Sequence, residues 1–99
     1  MRIREIIWLA DFVYKIRDKH GVTPEEVEYV LERRPHLRYV ERGHVKGEDL
    51  YQAWGQTPAG RYLIVFFIHK RNAQAVPISA RPMTLKVKRF YARQKKDKD

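Results

Sequence analysis

Apolar residues change their spacing along the chain, and this change separates a helical first third from a strand-rich remainder. Leu9, Phe12, Val13 and Ile16 recur at helical spacing and predict a helix that ends at Gly21. Glycine favours that end because it adopts the left-handed conformation of a helix C-terminus without steric cost. Residues 3–8, before the helix, predict a short first strand or an extended lead-in.

A second helix is predicted directly after that glycine. Residues 23–26, Thr-Pro-Glu-Glu, form a capping box with proline at the first helical position, which is typical of a helix start. Val27, Val30 and Leu31 supply its apolar face, and Pro35 ends it.

Four strands are predicted next, in residues 37–42, 48–56, 61–70 and 74–79. The third contains the run LIVFFI, and a continuously apolar strand is typical of one covered on both faces. Pro77 predicts an edge or a bulge in the fourth, because proline cannot donate a ladder hydrogen bond. A final basic helix follows, with Thr84 as its N-cap and an apolar stripe of Val87, Phe90 and Tyr91.

This order of elements predicts an α+β fold: two N-terminal helices packed on an antiparallel sheet of about four strands, with a C-terminal helix. A chain of 99 residues has room for one core. We therefore expect a single domain over residues 1–93, with Trp8 and Trp54 in its core. Residues 94–99 are expected to form a basic, frayed tail.

Charge is distributed very unevenly along the chain. From Leu50 to Lys96 there are ten Lys or Arg and no acidic residue, whereas the first 49 residues hold ten basic and ten acidic ones. The net charge of +9 therefore lies in the second half. Such asymmetry indicates a polyanionic partner, most commonly nucleic acid, whose phosphates bind cations with release of counterions. The alternative is a solvated basic surface with a disordered, Lys-rich tail.

Other classes of protein are disfavoured by what the sequence lacks. There is no cysteine, so disulfides and cysteine-based zinc sites are excluded. The four histidines have no ligand spacing and no glycine-rich nucleotide loop is present, so we expect neither a metal nor a cofactor. The N-terminus lacks the apolar core of a signal peptide, and the longest apolar run covers only residues 63–68. We expect a cytoplasmic protein without membrane contact.

RNA can be cleaved without a metal, because its 2′-hydroxyl is an internal nucleophile beside the phosphate. The reaction needs a base for the hydroxyl proton, cations for the developing phosphorane charge and an acid for the leaving 5′-oxygen. Arg and Lys can supply the cations, while His, Glu, Lys or Tyr can supply the base and the acid.

Three segments carry a family signature. They are KIRDKHGVTPEEV at residues 15–27; GEDLY at 47–51 with GQT at 55–57 and GR at 60–61; and ISARPMT at 78–84 with Arg89 and Tyr91. In this order and spacing they resemble the BrnT-type toxins, small ribonucleases of bacterial toxin–antitoxin pairs with a RelE-like fold. The similarity extends over residues 5–92.

The resemblance implies a metal-independent endoribonuclease that inhibits translation, the toxin of a type II pair. It also implies RNA and a cognate antitoxin with an acidic segment as partners, in a toxin–antitoxin hetero-oligomer. The chain has Val87 where family members usually carry Glu, and Leu50 where many carry Arg. These departures favour an alternative, a non-catalytic RNA- or DNA-binding module on the same fold. A third interpretation is a purely structural partner-binding domain.

Five residues are candidates for catalysis: Arg81, Arg61, His20, Lys19 and Glu48. Arg81 lies between the last strand and the last helix, where its guanidinium can hold a phosphate with two hydrogen bonds, or can form an ion pair. The resemblance favours Arg61 as a phosphate clamp over a surface charge. His20 is a general acid or base with Lys19 beside it, or both simply face the helix C-terminus. Glu48 is a base or orients an arginine, or it forms a cross-strand salt bridge.

Five residues of the last helix are candidates for RNA binding: Lys86, Lys88, Arg89, Tyr91 and Arg93. The cations can follow an RNA backbone, receive an acidic antitoxin segment or form a solvated face, while Tyr91 can stack on a base or pack in the core. We expect Arg61, Arg81 and the last helix to line one basic concavity, with His20 or Lys19 at its rim.

Overall fold

The computed structural model of the chain describes residues 1–98, and the side chains of residues 1–95. The elements follow the predicted order: β1 (Glu5–Ile6), α1 (Ala10–His20), α2 (Pro24–Glu32), β2 (His36–Glu41), β3 (Asp49–Gln56), β4 (Tyr62–His69), β5 (Gln74–Pro82) and α3 (Leu85–Lys98). Two bounds differ most from the prediction. β1 is only two residues long, and β5 continues to Pro82.

The strands form one mixed sheet in the order β1-β5-β4-β3-β2. Strands β2 to β5 pair antiparallel, whereas β1 pairs parallel with β5 through Glu5↔Gln74 and Ile6↔Ala75. The predicted antiparallel sheet of about four strands is therefore correct for β2–β5 and wrong at the edge, where β1 adds a parallel fifth strand. The sequence pattern of a strand shows its two faces but not its neighbour or its direction, which is why this pairing was missed.

Local signals begin and end the first two helices where predicted. Gly21 has φ 61°, and its N–H donates to the Arg17 carbonyl at 2.8 Å, so α1 ends there. At the start of α2, the Glu26 N–H donates to Thr23 Oγ1 at 3.2 Å and the Thr23 N–H donates to Glu26 Oε1 at 3.1 Å. The predicted capping box is therefore complete.

Helices cover the sheet on both faces. α1 and α2 pack on one face and form the main core, which contains Ile16, Val22, Val27, Val30, Leu31, Ala53, Leu63, Val65, Phe67, Ala75 and Ala80. α3 packs on the other face, around Trp54, Ile64, Met83 and Tyr91. Trp54 is thus in a core as predicted, whereas Trp8 is only half-buried and donates to Glu28 Oε2 at 2.8 Å.

α3 is longer than predicted. Thr84 Oγ1 accepts from the Val87 N–H at 3.2 Å, which confirms Thr84 as the cap of this helix. Val87 has no carboxylate to return the bond, so the capping box is half complete. The helix continues to Lys98, so residues 94–98 belong to it; their predicted fraying stays a prediction, and Asp99 lies outside the described residues. None of the helices described in residues 1–98 is long and apolar enough to cross a membrane.

Candidate nucleic-acid interface

A basic cleft lies where the end of α1 meets the second half of β5. Its volume is about 270 Å³, and its lining residues are Lys15, Ile16, Lys19, His20, Ile78, Ser79 and Arg81. We call it the α1–β5 cleft. Lys15 and Lys19 share one face of α1 because they are four residues apart. The cleft therefore brings together three predicted catalytic residues, Lys19, His20 and Arg81.

A β-bulge precedes Arg81 in β5. Ile78 is an extra residue between Pro77 and Ser79, which pair with consecutive residues of β4. This bulge confirms the irregularity predicted from Pro77. Bulges bend a strand and change the direction of its side chains. After the bulge, the guanidinium carbon of Arg81 lies 5.3 Å from the centroid of the Phe66 ring, within cation–π range.

The cations of the cleft have no acidic partner among the described residues. The two ion pairs among the described residues are Arg61–Glu26 and Lys70–Glu48. Neither involves Lys15, Lys19 or Arg81. No Asp or Glu whose side chain the structure describes lines the cleft, and the side chains of these three residues are exposed. Unpaired cations around a concave surface attract polyanions, and the arginine fork matches a phosphate in particular.

Arg61 is bonded at the junction of α1 and α2. Its Nη1 donates to the two Glu26 carboxylate oxygens at 2.9 and 3.2 Å and to the Gly21 carbonyl at 3.1 Å. Its Nη2 donates to the His20 carbonyl at 3.3 Å. Most of the guanidinium donors are therefore already satisfied within the protein.

The predicted concavity shared by Arg61, Arg81 and the last helix is wrong. Arg61 lies opposite Thr57 on the face that carries α1 and α2, whereas Arg81 lies opposite Ile64 in the ladder, on the face that carries α3. The physical reason is Glu26, since its carboxylate draws Arg61 to the helix junction. The prediction that His20 or Lys19 lies at the rim of the site agrees with the α1–β5 cleft only in that both residues line it together with Arg81.

Glu48 is also separated from the other predicted catalytic residues. Arg81 lies opposite Ile64 of β4, whereas Glu48 directly precedes Asp49, which lies opposite His69. Ile64 and His69 are five residues apart along β4, which corresponds to about 17 Å. Glu48 Oε1 lies 3.8 Å from Lys70 Nζ. The alternative of a salt bridge is therefore the one observed, at a distance from Arg81, and a catalytic role of Glu48 stays a prediction.

The predicted RNA-binding cations of α3 are all exposed; they are Lys86, Lys88, Arg89 and Arg93. Two of them lie over rings that pack beneath the helix. Lys88 Nζ is 4.7 Å from the centroid of the Tyr62 ring, and the guanidinium carbon of Arg93 is 5.8 Å from that of Phe90. The outer face of α3 is therefore basic and begins close to Arg81 in the sequence.

Tyr91, the fifth of these candidates, packs in the core beneath α3. It is 8% exposed, and its ring meets Tyr62 edge to face at 6.1 Å. Burial raises the pKa of the Tyr91 hydroxyl above its ordinary value, and the neighbouring Tyr62 hydroxyl raises it further. The core role named for Tyr91 is the one observed, and the hydroxyl is a hydrogen-bond donor at neutral pH.

Two basic residues near these surfaces were missed as site candidates. Lys15 lines the cleft, and its spacing from Lys19 was the signal that could have found it. The guanidinium carbon of Arg38, on β2, lies 5.0 Å from the centroid of the Trp54 ring and 5.3 Å from the centroid of the Phe90 ring. No sequence signal marks Arg38, because its ring partners come from β3 and α3.

Metal-ligating side chains do not gather anywhere in the part of the chain that the structure describes. No group of three or more His, Asp or Glu able to hold a metal ion occurs there. The expectation of metal-independent chemistry stays a prediction, since it concerns a reaction.

Comparisons with known proteins place this architecture in a class. The fold matches the crystal structure, at 1.1 Å resolution, of the Brucella abortus ribonuclease toxin BrnT, with a TM-score of 0.58. The two chains are 20% identical, and the match covers 81% of this chain and 96% of the other. No curated protein sequence matches the chain significantly. At this identity the structural likeness defines the α+β fold alone.

The particular family follows from the sequence of residues 14–86. This segment matches the family model of BrnT, the ribonuclease toxin of type II toxin–antitoxin systems. The match spans more than half of the chain, so the protein belongs to the BrnT toxin family. The resemblance carried by the three motifs is thereby confirmed.

Proposed function

We propose that the protein is a metal-independent endoribonuclease, the toxin of a type II pair, which inhibits translation by cutting RNA in the cytoplasm. Membership of the BrnT family supports the class of activity. The observation that carries the site is the α1–β5 cleft, where Lys15, Lys19 and Arg81 have no acidic partner among the described side chains and His20 contributes to the same lining.

The cleft residues divide the chemistry between them. Arg81 and the two lysines bind the non-bridging phosphate oxygens and stabilise the charge that develops on them. The His20 imidazole is the proposed group for proton transfer. The 2′-oxygen attacks phosphorus and gives its proton to a base, while the bond to the 5′-oxygen breaks and that oxygen takes up a proton. The products are a 2′,3′-cyclic phosphate and a 5′-hydroxyl.

The decisive experiment is incubation of the purified, antitoxin-free chain with single-stranded RNA in EDTA. We expect cleavage products that end in a 2′,3′-cyclic phosphate, resolved on a denaturing gel before and after treatment that opens the cyclic ester. A folded protein that binds RNA but leaves it intact would refute the enzymatic proposal.

A non-catalytic nucleic-acid-binding module is the second candidate function, and a specific observation favours it. Glu48 and Arg61, two of the five predicted catalytic residues, are both engaged in ion pairs away from the cleft. The cleft lining itself contains no carboxylate from the described side chains. Under this alternative the same cations bind RNA or DNA, and binding weakens steeply with salt in the absence of any cleavage.

The proposed antitoxin partner carries an acidic segment that neutralises the basic outer face of α3. Exposed Lys86, Lys88, Arg89 and Arg93 supply the complementary charge for a toxin–antitoxin hetero-oligomer. The simplest check is genetic. An adjacent gene for a small protein with an acidic segment and a DNA-binding domain is expected.

A further inference from the structure

A second, larger cavity lies between the end of α2, the end of β3 and α3. Its volume is about 670 Å³, and its lining includes Tyr29, Arg33, Arg34, Gln56, Tyr91 and Lys95. We call it the α2–α3 cavity. It shares no lining residue with the α1–β5 cleft. Cavities of about 300–1,000 Å³ are the ones that hold small ligands in proteins.

The α2–α3 cavity combines positive charge with aromatic rings. Arg33, Arg34 and Lys95 line it together with Tyr29 and Tyr91, and no Asp or Glu among residues 1–95 does. The guanidinium carbon of Arg33 lies 4.8 Å from the centroid of the Tyr29 ring. Both arginines also border smaller recesses that contain glutamates of α2, yet neither is ion-paired among the described residues. Cations beside aromatic rings are the combination that binds single-stranded nucleic acid.

Arg34 occupies a backbone position that favours another residue type. Its φ is 49°, in the left-handed region, just after the end of α2. Glycine or asparagine adopts this conformation at a helix end with less strain than arginine does. Strain retained at a cavity wall points to a role for the side chain that is present.

α3 connects the two sites. It begins at Leu85, four residues after Arg81, and the side chain of Lys95 lies in the α2–α3 cavity. Ten residues of helix span about 15 Å. The exposed basic residues Lys86, Lys88, Arg89 and Arg93 lie along this length. A strand of a few nucleotides can therefore stay in contact with cations from one site to the other.

We propose that the α2–α3 cavity is a second nucleotide-binding subsite for single-stranded RNA whose scissile phosphate lies in the α1–β5 cleft. A phosphate of the RNA contacts Arg34 and Lys95, and a base packs against the aromatic wall of the cavity. The RNA follows the outer face of α3 between the two sites. This inference rests on the proposed function only for the position of the scissile phosphate.

The test measures binding with a probe that cannot be cut. A fluorescent 2′-O-methyl hexanucleotide lacks the nucleophile, so its dissociation constant by anisotropy reports binding alone. The variant Arg34→Asn/Lys95→Gln is expected to raise that constant tenfold or more. It should also reduce the slope of log affinity against log salt by about 0.7, the contribution of the one single-strand phosphate contact that the variant removes. A dinucleotide, too short to reach both sites, should show no such difference.

The matched control is Arg42→Asn/Lys46→Gln, which removes the same charge from exposed residues between β2 and β3. Equal weakening by both variants would overturn the subsite, since net charge alone would then explain the loss. Asparagine at position 34 should leave the melting temperature unchanged or raise it; a lower melting temperature with unchanged binding would also overturn the proposal.

Two further outcomes separate this proposal from its neighbours. If the cavity variant loses binding to an octaglutamate peptide and keeps its affinity for the oligonucleotide, the cavity belongs to a protein partner and the RNA subsite is refuted. If the wild-type chain binds the probe in a manner that depends on Arg34 and Lys95 yet cuts no RNA, the subsite stands and the enzymatic proposal falls.

Discussion

Arg61 and Arg81 both lie near the C-terminal end of α1, but their surroundings differ. Arg61 reaches the His20 carbonyl from one side and is neutralised by Glu26, at 2.9 Å. Arg81 lines the α1–β5 cleft together with His20 and has no acidic partner among the described residues. A guanidinium that already donates to a carboxylate and two carbonyls has few donors left for a phosphate, whereas an unpaired one keeps all five.

The comparison gives the two arginines different roles. Arg61 ties the start of β4 to the backbone at the end of α1. Its removal should therefore have a structural cost. Arg81 is exposed and outside the main core, so its loss should affect RNA and leave the fold unchanged.

Replacing Arg81 should have the largest effect. We expect Arg81→Ala to slow RNA cleavage by about 100-fold or more, the scale for removing a donor that stabilises transition-state charge. Arg81→Lys should recover only part of the rate, because lysine lacks the bidentate fork. Single-turnover cleavage rates measure this, with Arg42→Ala as the matched control. Full activity in Arg81→Ala would remove the difference between the two arginines.

The two lysines of α1 should come next. Lys15→Gln/Lys19→Gln is expected to weaken oligonucleotide binding about tenfold and to make the affinity less dependent on salt. The melting temperature should change little, since both side chains are exposed. Anisotropy titrations at several salt concentrations test this expectation. Unchanged affinity would show that Arg81 acts without the α1 face.

The order of elements could be predicted because its signals are local. Gly21 ends α1, Thr23 and Glu26 begin α2, and the alternating and apolar runs mark the strands within a few residues. The parallel pairing of β1 with β5 joins residues almost seventy positions apart. No periodicity in either strand specifies that partner.

The site was predicted only in part for the same reason. The acid-free second half predicts a basic surface that includes both Arg61 and Arg81. The partner of Arg61, however, lies 35 residues earlier, in the capping box of α2. In the sequence, Glu26 indicates the start of a helix. In the fold its carboxylate both completes the capping box of α2 and pairs with Arg61. Charge density in a sequence therefore indicates a basic surface without showing which of its cations are free.

Replacing Arg61 should lower the free energy of unfolding and leave the cleavage rate largely unchanged. We expect Arg61→Ala to lower the free energy of unfolding by about 1 kcal/mol, a modest value because the ion pair is partly exposed. Glu26→Gln is the partner variant, since glutamine keeps the capping box and removes the ion pair. A double-mutant cycle by chemical denaturation should give a coupling of similar size. A catalytic loss at temperatures where Arg61→Ala is fully folded, as large as that of Arg81→Ala, would contradict the contrast between them.

Glu48 should matter least. Its carboxylate lies 3.8 Å from Lys70 Nζ at the end of the sheet away from Arg81. A long, partly exposed pair of this kind contributes little to stability. The separation of about 17 Å along the sheet between Glu48 and Arg81 is too great for direct proton transfer at a phosphate held by Arg81. We therefore expect Glu48→Gln to change the cleavage rate by less than about twofold and the free energy of unfolding by less than about 0.5 kcal/mol. Lys70→Gln, which breaks the same pair from the other side, should behave alike. A tenfold loss of cleavage in Glu48→Gln alone would mean that the reactive centre includes the far end of the sheet.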